Sequence, residues 1–265
     1  MNINSAILIS KDELSWCVWR FRLKAKSPLI NFIPGQYISI IIDPSTRRQY
    51  SISNYSSASF DEFEIIVDIK PNGVGTTYLK NLNVGDEISF IGPIGRFVLA
   101  ENLSKDLYFI ATGTGIAPFK SMIEFLIHKN LHLSHNIHVH FGTRFSKDLF
   151  CEPKNSNNRI ASKRIDNEAK LRGDSFCVDL FEEYLQKGYI KEYKKYLSQE
   201  DFPNTTKGYV TEFIKTYNFS TPGVKGLSDI PQFFICGSGE MIKSAEQMLL
   251  EKNIPEENIH FEKFY

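Results

Sequence analysis

The feature that most constrains this fold is one stretch, residues 107–127, in which three local patterns follow one another. Residues 107–111 are all apolar, which predicts a strand that is buried on both faces. The turn Thr112-Gly113-Thr114-Gly115 comes next, and apolar residues then recur at the spacing of one helical face. Pro118 suits the first turn of that helix. Strand, glycine turn and helix in this order predict an α/β unit.

The glycine turn in this unit has two possible meanings. Gly113 and Gly115 let the backbone bend tightly and approach a ligand, and the N–H groups of a helix start attract phosphate. However, Pro118 stands where the third glycine of a full dinucleotide-binding motif would be. By itself the pattern fits either a nucleotide-binding turn or an ordinary connection between a strand and a helix.

Length and composition limit the class of protein. The chain has 265 residues, of which 42% are hydrophobic and 23% charged, enough for two modest domains with packed cores. The formal net charge is zero, which argues against nucleic-acid binding through a general positive field. No apolar run reaches membrane-spanning length, and acidic residues stand early in the chain without a signal-peptide core before them. We therefore expect a soluble, cytoplasmic protein that binds neither nucleic acid nor membrane.

The four cysteines are widely separated along the chain, at Cys17, Cys151, Cys177 and Cys236. This spacing matches neither a zinc site nor an iron–sulfur site, and it does not suggest a disulfide framework. We predict no metal site.

The first hundred residues are typical of a β domain. Short apolar or alternating segments predict strands near residues 6–9, 17–23, 36–42, 49–52, 64–69, 87–91 and 96–98. Turn signals separate them, including Pro34-Gly35, Val84-Gly85-Asp86 and Gly92-Pro93. Many short strands with one short helix, near residues 76–82, indicate a closed antiparallel barrel.

Two motifs in this half are suited to ligand binding. In Arg48-Gln49-Tyr50-Ser51, strand geometry directs Arg48 and Tyr50 to one face and Ser51 to the other. An arginine can hold a phosphate with two hydrogen bonds, and a tyrosine can stack on a ring. In Gly73-Val74-Gly75-Thr76-Thr77, small residues before a helical turn expose several N–H groups to an anion. The alternatives are an ordinary amphipathic strand and an ordinary turn before a surface helix.

Two further buried strands are predicted in the second half. Residues 137–141 form an apolar run that ends at Gly142-Thr143-Arg144, and residues 233–236 form another that ends at Gly237-Ser238-Gly239. Nucleotide-binding folds often carry an acidic residue near a strand end like that of residues 137–141, where it holds a ribose hydroxyl. Arg144 instead favours a 2′-phosphate, although a solvated surface arginine fits the sequence equally well.

Taken in order, these motifs resemble a known family. The landmarks are Arg48-Gln49-Tyr50-Ser51, Gly73-Val74-Gly75-Thr76, Gly92-Pro93-Ile94-Gly95-Arg96-Phe97, Gly113-Thr114-Gly115-Ile116-Ala117-Pro118, Phe141-Gly142-Thr143-Arg144, Cys236-Gly237-Ser238-Gly239-Glu240-Met241 and the aromatic tail 261–265. The chain resembles the ferredoxin–NADP reductases of the plant-type superfamily, in their bacterial form. Each motif is weak alone, but the ordered set spans nearly the whole chain.

The resemblance implies a fold of β barrel plus α/β type. Residues 1–102 would form an antiparallel six-stranded FAD-binding barrel. Residues 103–265 would form a Rossmann-like NAD(P)-binding domain with a parallel five-stranded sheet and flanking helices. A polar segment at about 152–176 departs from the family and is expected to be an insertion.

The resemblance also implies the FAD contacts. Arg48 would hold the flavin pyrophosphate, Tyr50 would pack on the flavin, and Ser51 would lie near its N5 atom. The backbone around Val74 would cradle the pyrophosphate. The remaining expected FAD-binding residues are Gln49, Val67, Ile69, Gly73, Gly75, Thr76, Thr77, Thr114 and Tyr265.

The expected NAD(P) contacts lie in the second half of the chain. They comprise Gly113, Thr114, Gly115, Pro118, Arg144, Ser198, Gln199, Lys207, Tyr209, Cys236, Gly237 and Met241. NADP-selective relatives usually have Ser-Arg where this chain has Ser198-Gln199, and an arginine where it has Tyr209. We expect NADP(H) with Lys207 as a partial replacement, and NADH remains possible.

The catalytic residues implied by the resemblance are Ser51, Cys236, Glu262 and Tyr265. Cys236 would lie beside the nicotinamide, Glu262 would relay a proton, and Tyr265 would stack on the flavin face. The implied function is electron transfer between NADP(H) and a protein carrier, ferredoxin or flavodoxin, through FAD. The alternatives are an NADH-dependent reductase component of an oxygenase, a free-flavin reductase and a non-catalytic flavin-binding subunit.

Overall fold

The computed structural model describes residues 2–29, 31–56, 61–70, 72–149, 152–153, 177–217, 219 and 230–264, without the side chains of 152, 153, 177 and 178. These residues form two compact units. The first contains Met1–Val98, Ala117–Phe125 and the short strand pair that follows residue 150. The second contains Leu99–Ile116, Leu126–Leu149 and the described residues from Leu180 onward.

Six antiparallel strands form the sheet of the first unit. Their bounds are β1 Ile3–Glu13, β2 Val18–Ala25, β3 Tyr37–Asp43, β4 Thr46–Ser51, β5 Glu62–Asp68 and β6 Glu87–Ile94. Their order across the sheet is β4-β3-β6-β1-β2-β5. An isolated bridge between Ile52 and Ile65 joins the two outer strands, so the sheet closes into a barrel.

The barrel core follows from the alternation of apolar residues along the strands. In β5, Phe63, Ile65 and Val67 belong to the core, and Ile66 belongs to a second apolar cluster with Ala117. Helix α1, Val74–Asn81, adds the buried side chain of Leu79 to the barrel core. The helix therefore covers part of the barrel with its own apolar face.

A six-stranded parallel sheet organises the second unit. Its strands, in chain order, are β7 Asp106–Thr112, β8 Asn136–Thr143, β11 Glu192–Leu197, β12 Thr206–Lys207, β13 Gln232–Ser238 and β14 Ile259–Phe264. Their order in space is β12-β11-β8-β7-β13-β14. Because β7 and β13 are buried along almost their whole length, they have the continuous apolar sequences expected of inner parallel strands.

The described residues contain four α-helices besides α1. They are α2 Ile116–His128, α3 Leu180–Gln186, α4 Glu212–Thr216 and α5 Gly239–Glu251. Helix α2 begins directly after the glycine turn, and its residues Ala117–Phe125 belong to the first unit. No helix in the described parts of the chain is long and apolar enough to cross a membrane.

A two-residue strand pair connects the ends of the segment predicted as an insertion. Strand β9, Glu152–Pro153, pairs in antiparallel fashion with β10, Cys177–Val178. Most of the predicted insertion, and Cys151, lie outside the described residues.

The predicted fold class is confirmed, with two differences in detail. The parallel sheet has six strands where five were expected, because β12 is only two residues long and leaves no apolar pattern in the sequence. Residues 96–98 are not a strand, and the buried ring of Phe97 lies 5.9 Å from that of Phe119. The sequence of this segment resembles that of a strand because it contains one buried aromatic residue, Phe97.

Candidate functional site

Strand β4 presents the first predicted motif. Arg48 and Tyr50 pair with Ile40 and Ile38 of β3, whereas Ser51 pairs with Tyr37. Side chains alternate along a strand, so Arg48 and Tyr50 share one face and Ser51 takes the other. Arg48 is exposed, Tyr50 is partly buried against the barrel core, and Ser51 is buried.

The second motif lies directly against the first. A Cβ atom at Gly75 would be 2.5 Å from the Tyr50 hydroxyl oxygen and 2.7 Å from Cγ of Arg48. Only a glycine permits this approach of helix α1 to β4. The structure therefore brings together two motifs that are more than twenty residues apart in the chain.

The start of helix α1 offers backbone N–H groups beside this contact. Gly73 is the N-cap residue and has no side chain with which to cap the helix. Thr76 Oγ1 donates a hydrogen bond to the Gly73 carbonyl oxygen at 3.0 Å, and the backbone N–H of Thr77 donates to the same oxygen at 2.9 Å. Val74 is exposed. This helix start is suited to a pyrophosphate, which Arg48 could also reach.

The environment of Tyr50 also fits a residue that contacts a ring. Burial raises the pKa of Tyr50 to about 12, although the charge of Arg48 acts in the opposite direction. A tyrosine hydroxyl is protonated at neutral pH with or without this shift, and it can donate a hydrogen bond. The neighbouring Gln49 is exposed, and its Nε2 donates to the Tyr37 hydroxyl at 3.4 Å.

The side chains of two predicted flavin contacts point into the barrel core. Val67 and Ile69 belong to the barrel core. Their side chains are therefore committed to packing, and any ligand contact at these positions would come from the backbone.

The glycine turn of the second unit packs on the end of β13. Residues Gly113–Gly115 form a single 3-10 turn between β7 and α2. A Cβ atom at Gly115 would be 2.6 Å from the carbonyl carbon of Cys236 and 2.8 Å from the nitrogen of Gly237. One at Gly113 would meet no atom within 4 Å, and the φ of Gly113 is +54°. The turn is thus closed on the side of Gly115 and open on the side of Gly113.

A contact between β7 and β13 completes this edge of the sheet. Thr112 Oγ1 accepts a hydrogen bond from the backbone N–H of Ser238 at 3.1 Å. A Cβ atom at Gly237 would be 3.0 Å from the Thr112 nitrogen. Ser238 Oγ in turn accepts from the N–H of Met241 at 3.3 Å and caps helix α5. The Met241 side chain is in the core, so only its backbone is at this edge.

Cys236 and Glu262 are neighbours across two parallel strands. They are direct partners in the register of β13 and β14. Burial raises the pKa of the Cys236 thiol well above its usual value, and the charge of Glu262 adds to the effect. Cys236 is thus a protonated thiol at neutral pH, and Glu262 is half-buried beside it.

The predicted phosphate contacts also come together at the carboxyl edge of the sheet. The backbone N–H of Ser198 donates to the Thr143 carbonyl oxygen at 3.1 Å, and that of Gln199 donates to the Arg144 carbonyl oxygen at 3.0 Å. Lys207 pairs with Leu197, the residue before Ser198. Arg144, Gln199, Lys207 and Tyr209 are exposed, and Ser198 is half-buried.

Pro118 and Tyr265 are the remaining predicted residues. Pro118 is in helix α2, where its carbonyl oxygen accepts a hydrogen bond from Ser121 Oγ at 2.9 Å. Tyr265 lies outside the described residues, so its predicted position on the flavin remains a prediction.

Sequence reasoning missed three residues that form long-range contacts, two of them at the edge of the parallel sheet. Thr112 joins β7 to β13, Glu200 binds Ser146 in the loop after β8, and Lys120 forms a buried ion pair with Glu64. None has a local signal beyond being polar near the end of an element. Each interaction joins residues more than fifty positions apart.

The residues present fit the two cofactors that the resemblance implies. Arg48 with the start of α1 matches a pyrophosphate, and Tyr50 offers a ring face beside them. The open turn at Gly113 matches a second dinucleotide, and cationic side chains stand at the same edge of the parallel sheet.

Two family models match the chain in sequence. Residues 4–99 match the oxidoreductase FAD-binding domain, and residues 109–172 match the oxidoreductase NAD-binding domain. The first match covers the strands of the barrel, and the second begins in β7.

The chain is also similar in sequence to individual proteins. The toluate 1,2-dioxygenase electron transfer component of Pseudomonas putida is 28% identical over 247 residues, which cover 91% of this chain and 62% of that protein. The chain thus spans less than two-thirds of that relative. Ferredoxin–NADP reductase B of Sorangium cellulosum is 24% identical over 239 residues, which cover 88% of this chain and 85% of that protein.

A solved structure has the same fold over its whole length. The ferredoxin NADP+ reductase from Neisseria gonorrhoeae, with bound FAD and NADP, aligns with a TM-score of 0.73 at 18% identity, covering 100% of both chains. Residues 4–99 and 109–172 therefore belong to the oxidoreductase FAD-binding and NAD-binding domain families, and the chain as a whole has the fold of that ferredoxin NADP+ reductase.

Proposed function

We propose that this protein transfers electrons from NADPH to a one-electron protein carrier, a ferredoxin or a flavodoxin, through bound FAD. The observation that carries the proposal is the contact of Gly75 with Arg48 and Tyr50, which joins two motifs suited to FAD. When bound, FAD supplies the chemistry, because it accepts a hydride and can release electrons one at a time.

On the barrel, the chain binds and orients the flavin. Arg48 and the N–H groups at the start of α1 neutralise the pyrophosphate, and FMN has no such group. Tyr50 packs against the ring system. Ser51, which is buried on the other face of β4, would donate a hydrogen bond to the flavin, worth about 1 kcal/mol.

In the second unit, the chain binds the nicotinamide dinucleotide. The open side of the Gly113–Gly115 turn accepts the pyrophosphate, and Gly237 keeps the edge of the sheet clear. Cys236 is a fully buried, neutral thiol, so it would support the nicotinamide site from beneath without adding charge. Glu262, its neighbour on β14, is a candidate for moving a proton at its carboxylate.

The preference for NADPH rests on the cations at the carboxyl edge. Arg144 and Lys207 are exposed there, and Ser198 supports them. Replacing Arg144 by Ala should raise the KM for NADPH much more than that for NADH. Equal effects on both, or a wild type that strongly prefers NADH, would remove this part of the proposal.

The second candidate is a reductase component that serves an oxygenase with NADH as donor. The match to the toluate 1,2-dioxygenase component over 91% of this chain favours it. Any iron–sulfur centre in such a system would lie outside these 265 residues, because their cysteines are widely scattered.

The experiment begins with the flavin that the purified protein releases on heating, identified by HPLC. FAD is expected, and FMN as the only flavin would contradict the proposal. Anaerobic mixing with NADPH should bleach the flavin absorbance rapidly, and mixing with NADH less so. Ferredoxin or flavodoxin should then be reduced faster than free flavin at low salt. Rapid reduction of free flavin alone would instead indicate a free-flavin reductase.

A further inference from the structure

The loop that carries Arg144 is closed by its own hydrogen bonds. Thr143 Oγ1 donates to the Phe145 carbonyl oxygen at 3.2 Å. The backbone N–H of Phe145 donates to Asp148 Oδ2 at 3.1 Å, and residues Ser146–Asp148 form a 3-10 turn. These bonds define the shape of the loop, but they do not fix its position on the sheet.

Glu200 attaches this loop to the end of the neighbouring strand. Its Oε2 accepts a hydrogen bond from the backbone N–H of Ser146 at 2.6 Å, and its Oε1 accepts one from Ser146 Oγ at 3.1 Å. Both carboxylate oxygens therefore bind a single residue of the loop. Hydrogen bonds to an ionised acceptor are stronger than those between neutral groups.

Arg144 lies between two attachment points as a result. The Thr143 carbonyl oxygen before it accepts from the N–H of Ser198, and its own carbonyl oxygen accepts from that of Gln199. Ser146, two residues later, is held by Glu200. With the backbone fixed on both sides, the origin of the Arg144 side chain is fixed as well. A cation that starts from a fixed backbone loses less freedom when it binds an anion.

We propose that Glu200 is a positioning residue: it holds the loop through Ser146 and so presents Arg144 to the 2′-phosphate of the dinucleotide. This inference rests on the proposed function, since it takes Arg144 as the phosphate contact. Glu200 itself does not touch the phosphate, because a carboxylate would repel it.

The test compares Glu200→Ala, Glu200→Gln and Ser146→Ala with the wild type in the FAD-loaded protein. Glu200→Ala should raise the KM for NADPH about tenfold, with kcat and the KM for NADH changed less than about twofold. Ser146→Ala, which loses one hydrogen bond, and Glu200→Gln, which keeps an acceptor oxygen, should both have smaller effects. A matched control is Glu183→Ala, which removes an acid paired with Lys187 on helix α3.

A binding measurement separates this role from catalysis. Calorimetry with 2′,5′-ADP and with 5′-ADP should show weaker binding of only the first probe in Glu200→Ala. In the Arg144→Ala background, adding Glu200→Ala should change little, because the acid acts through the arginine. Additive losses, equal losses for both probes, or tighter 2′,5′-ADP binding in Glu200→Ala would overturn the proposal.

The outcomes for the two proposals are distinct. If the wild type binds 2′,5′-ADP no better than 5′-ADP, the positioning role is wrong even if NADH is oxidised. If neither nucleotide reduces the flavin but the probe results are as expected, the proposed function is wrong and the positioning role stands.

Discussion

The backbone of Gly75 lies against the side chain of Tyr50, so close that a Cβ atom at Gly75 would be 2.5 Å from the tyrosine hydroxyl oxygen. It would also be 2.7 Å from Cγ of Arg48. One glycine thus determines how helix α1 approaches both residues proposed to hold the flavin. An added methyl group must displace both of these side chains, or the helix itself.

Replacing Gly75 by Ala should therefore weaken FAD binding. We expect the Kd for FAD to rise about tenfold, which corresponds to about 1.4 kcal/mol. Fluorescence titration of the apoprotein with FAD measures it. Gly73→Ala is a matched comparison, because a Cβ atom there meets nothing within 4 Å, and its effect should be smaller. An equal loss in the two variants would show that the contact with Tyr50 is not the cause.

The two glycines of the turn after β7 should respond differently to substitution. Gly113→Ala should cost about 1 kcal/mol, because the residue has a positive φ but open space around it. Gly115→Ala should cost more, because the new Cβ atom would meet the rigid backbone of Cys236 and Gly237. Urea unfolding of both variants measures the order of the costs, and the reverse order would contradict the packing described for this turn.

Lys120 should be important for the stability of the first unit. Its Nζ lies 3.3 Å from Glu64 Oε2 and 2.8 Å from Glu124 Oε1, and Lys120 and Glu64 are both buried. Although burial opposes ionisation of Glu64, the charges of Lys120, Arg20 and Arg22 hold its pKa below the usual value.

Lys120→Met removes one of these charges, whereas Arg22 Nε remains 3.2 Å from Glu64 Oε1. We expect a loss of about 2 kcal/mol in the free energy of unfolding, measured with urea, since the carboxylate keeps one cationic partner. Lys187→Met, which breaks the exposed pair with Glu183, is the control and should have little effect. Similar effects of the two substitutions would show that burial does not matter here.

A cluster of polar groups in the second unit should make its stability depend on pH. His140 Nε2 lies 3.4 Å from Glu192 Oε2, and its ring stacks on that of Phe213 with centroids 3.7 Å apart. Burial lowers the pKa of His140, although Glu192 opposes the shift. The imidazole rings of His138 and His140 beside its carboxylate lower the pKa of Glu192.

The lowered pKa values of His140 and Glu192 both make the folded protein less stable as the pH falls. The unfolded chain takes up a proton at His140 below about pH 6.5, before the folded protein does, so stability falls as the pH is lowered from there. Glu192 adds to the loss below about pH 4.5. His140→Phe keeps the stacking and removes the titrating group. The slope of unfolding free energy between pH 6.5 and 5 should decrease by up to about 1.4 kcal/mol per pH unit. An unchanged slope would contradict this account.

Most of the local structure could be predicted from the sequence, because apolar runs, alternation and helical spacing each indicate one kind of element. The apolar run 107–111 predicted β7, and the helical spacing after Pro118 predicted most of α2. The alternation of Arg48, Tyr50 and Ser51 between the faces of β4 follows from strand geometry alone. Two-residue β12 left no such pattern, since two residues cannot show a period.

What the sequence by itself determined is therefore most of the succession of strands, turns and helices along the chain, and the motifs that mark the family. Only the tertiary structure decided which of these motifs meet. The register of β8, β11 and β12 brings Arg144, Gln199 and Lys207 to one edge, and Glu200 reaches Ser146 across that same edge. These contacts join residues separated by long stretches of chain, and their geometry depends on strand pairing and close packing rather than on neighbours in sequence.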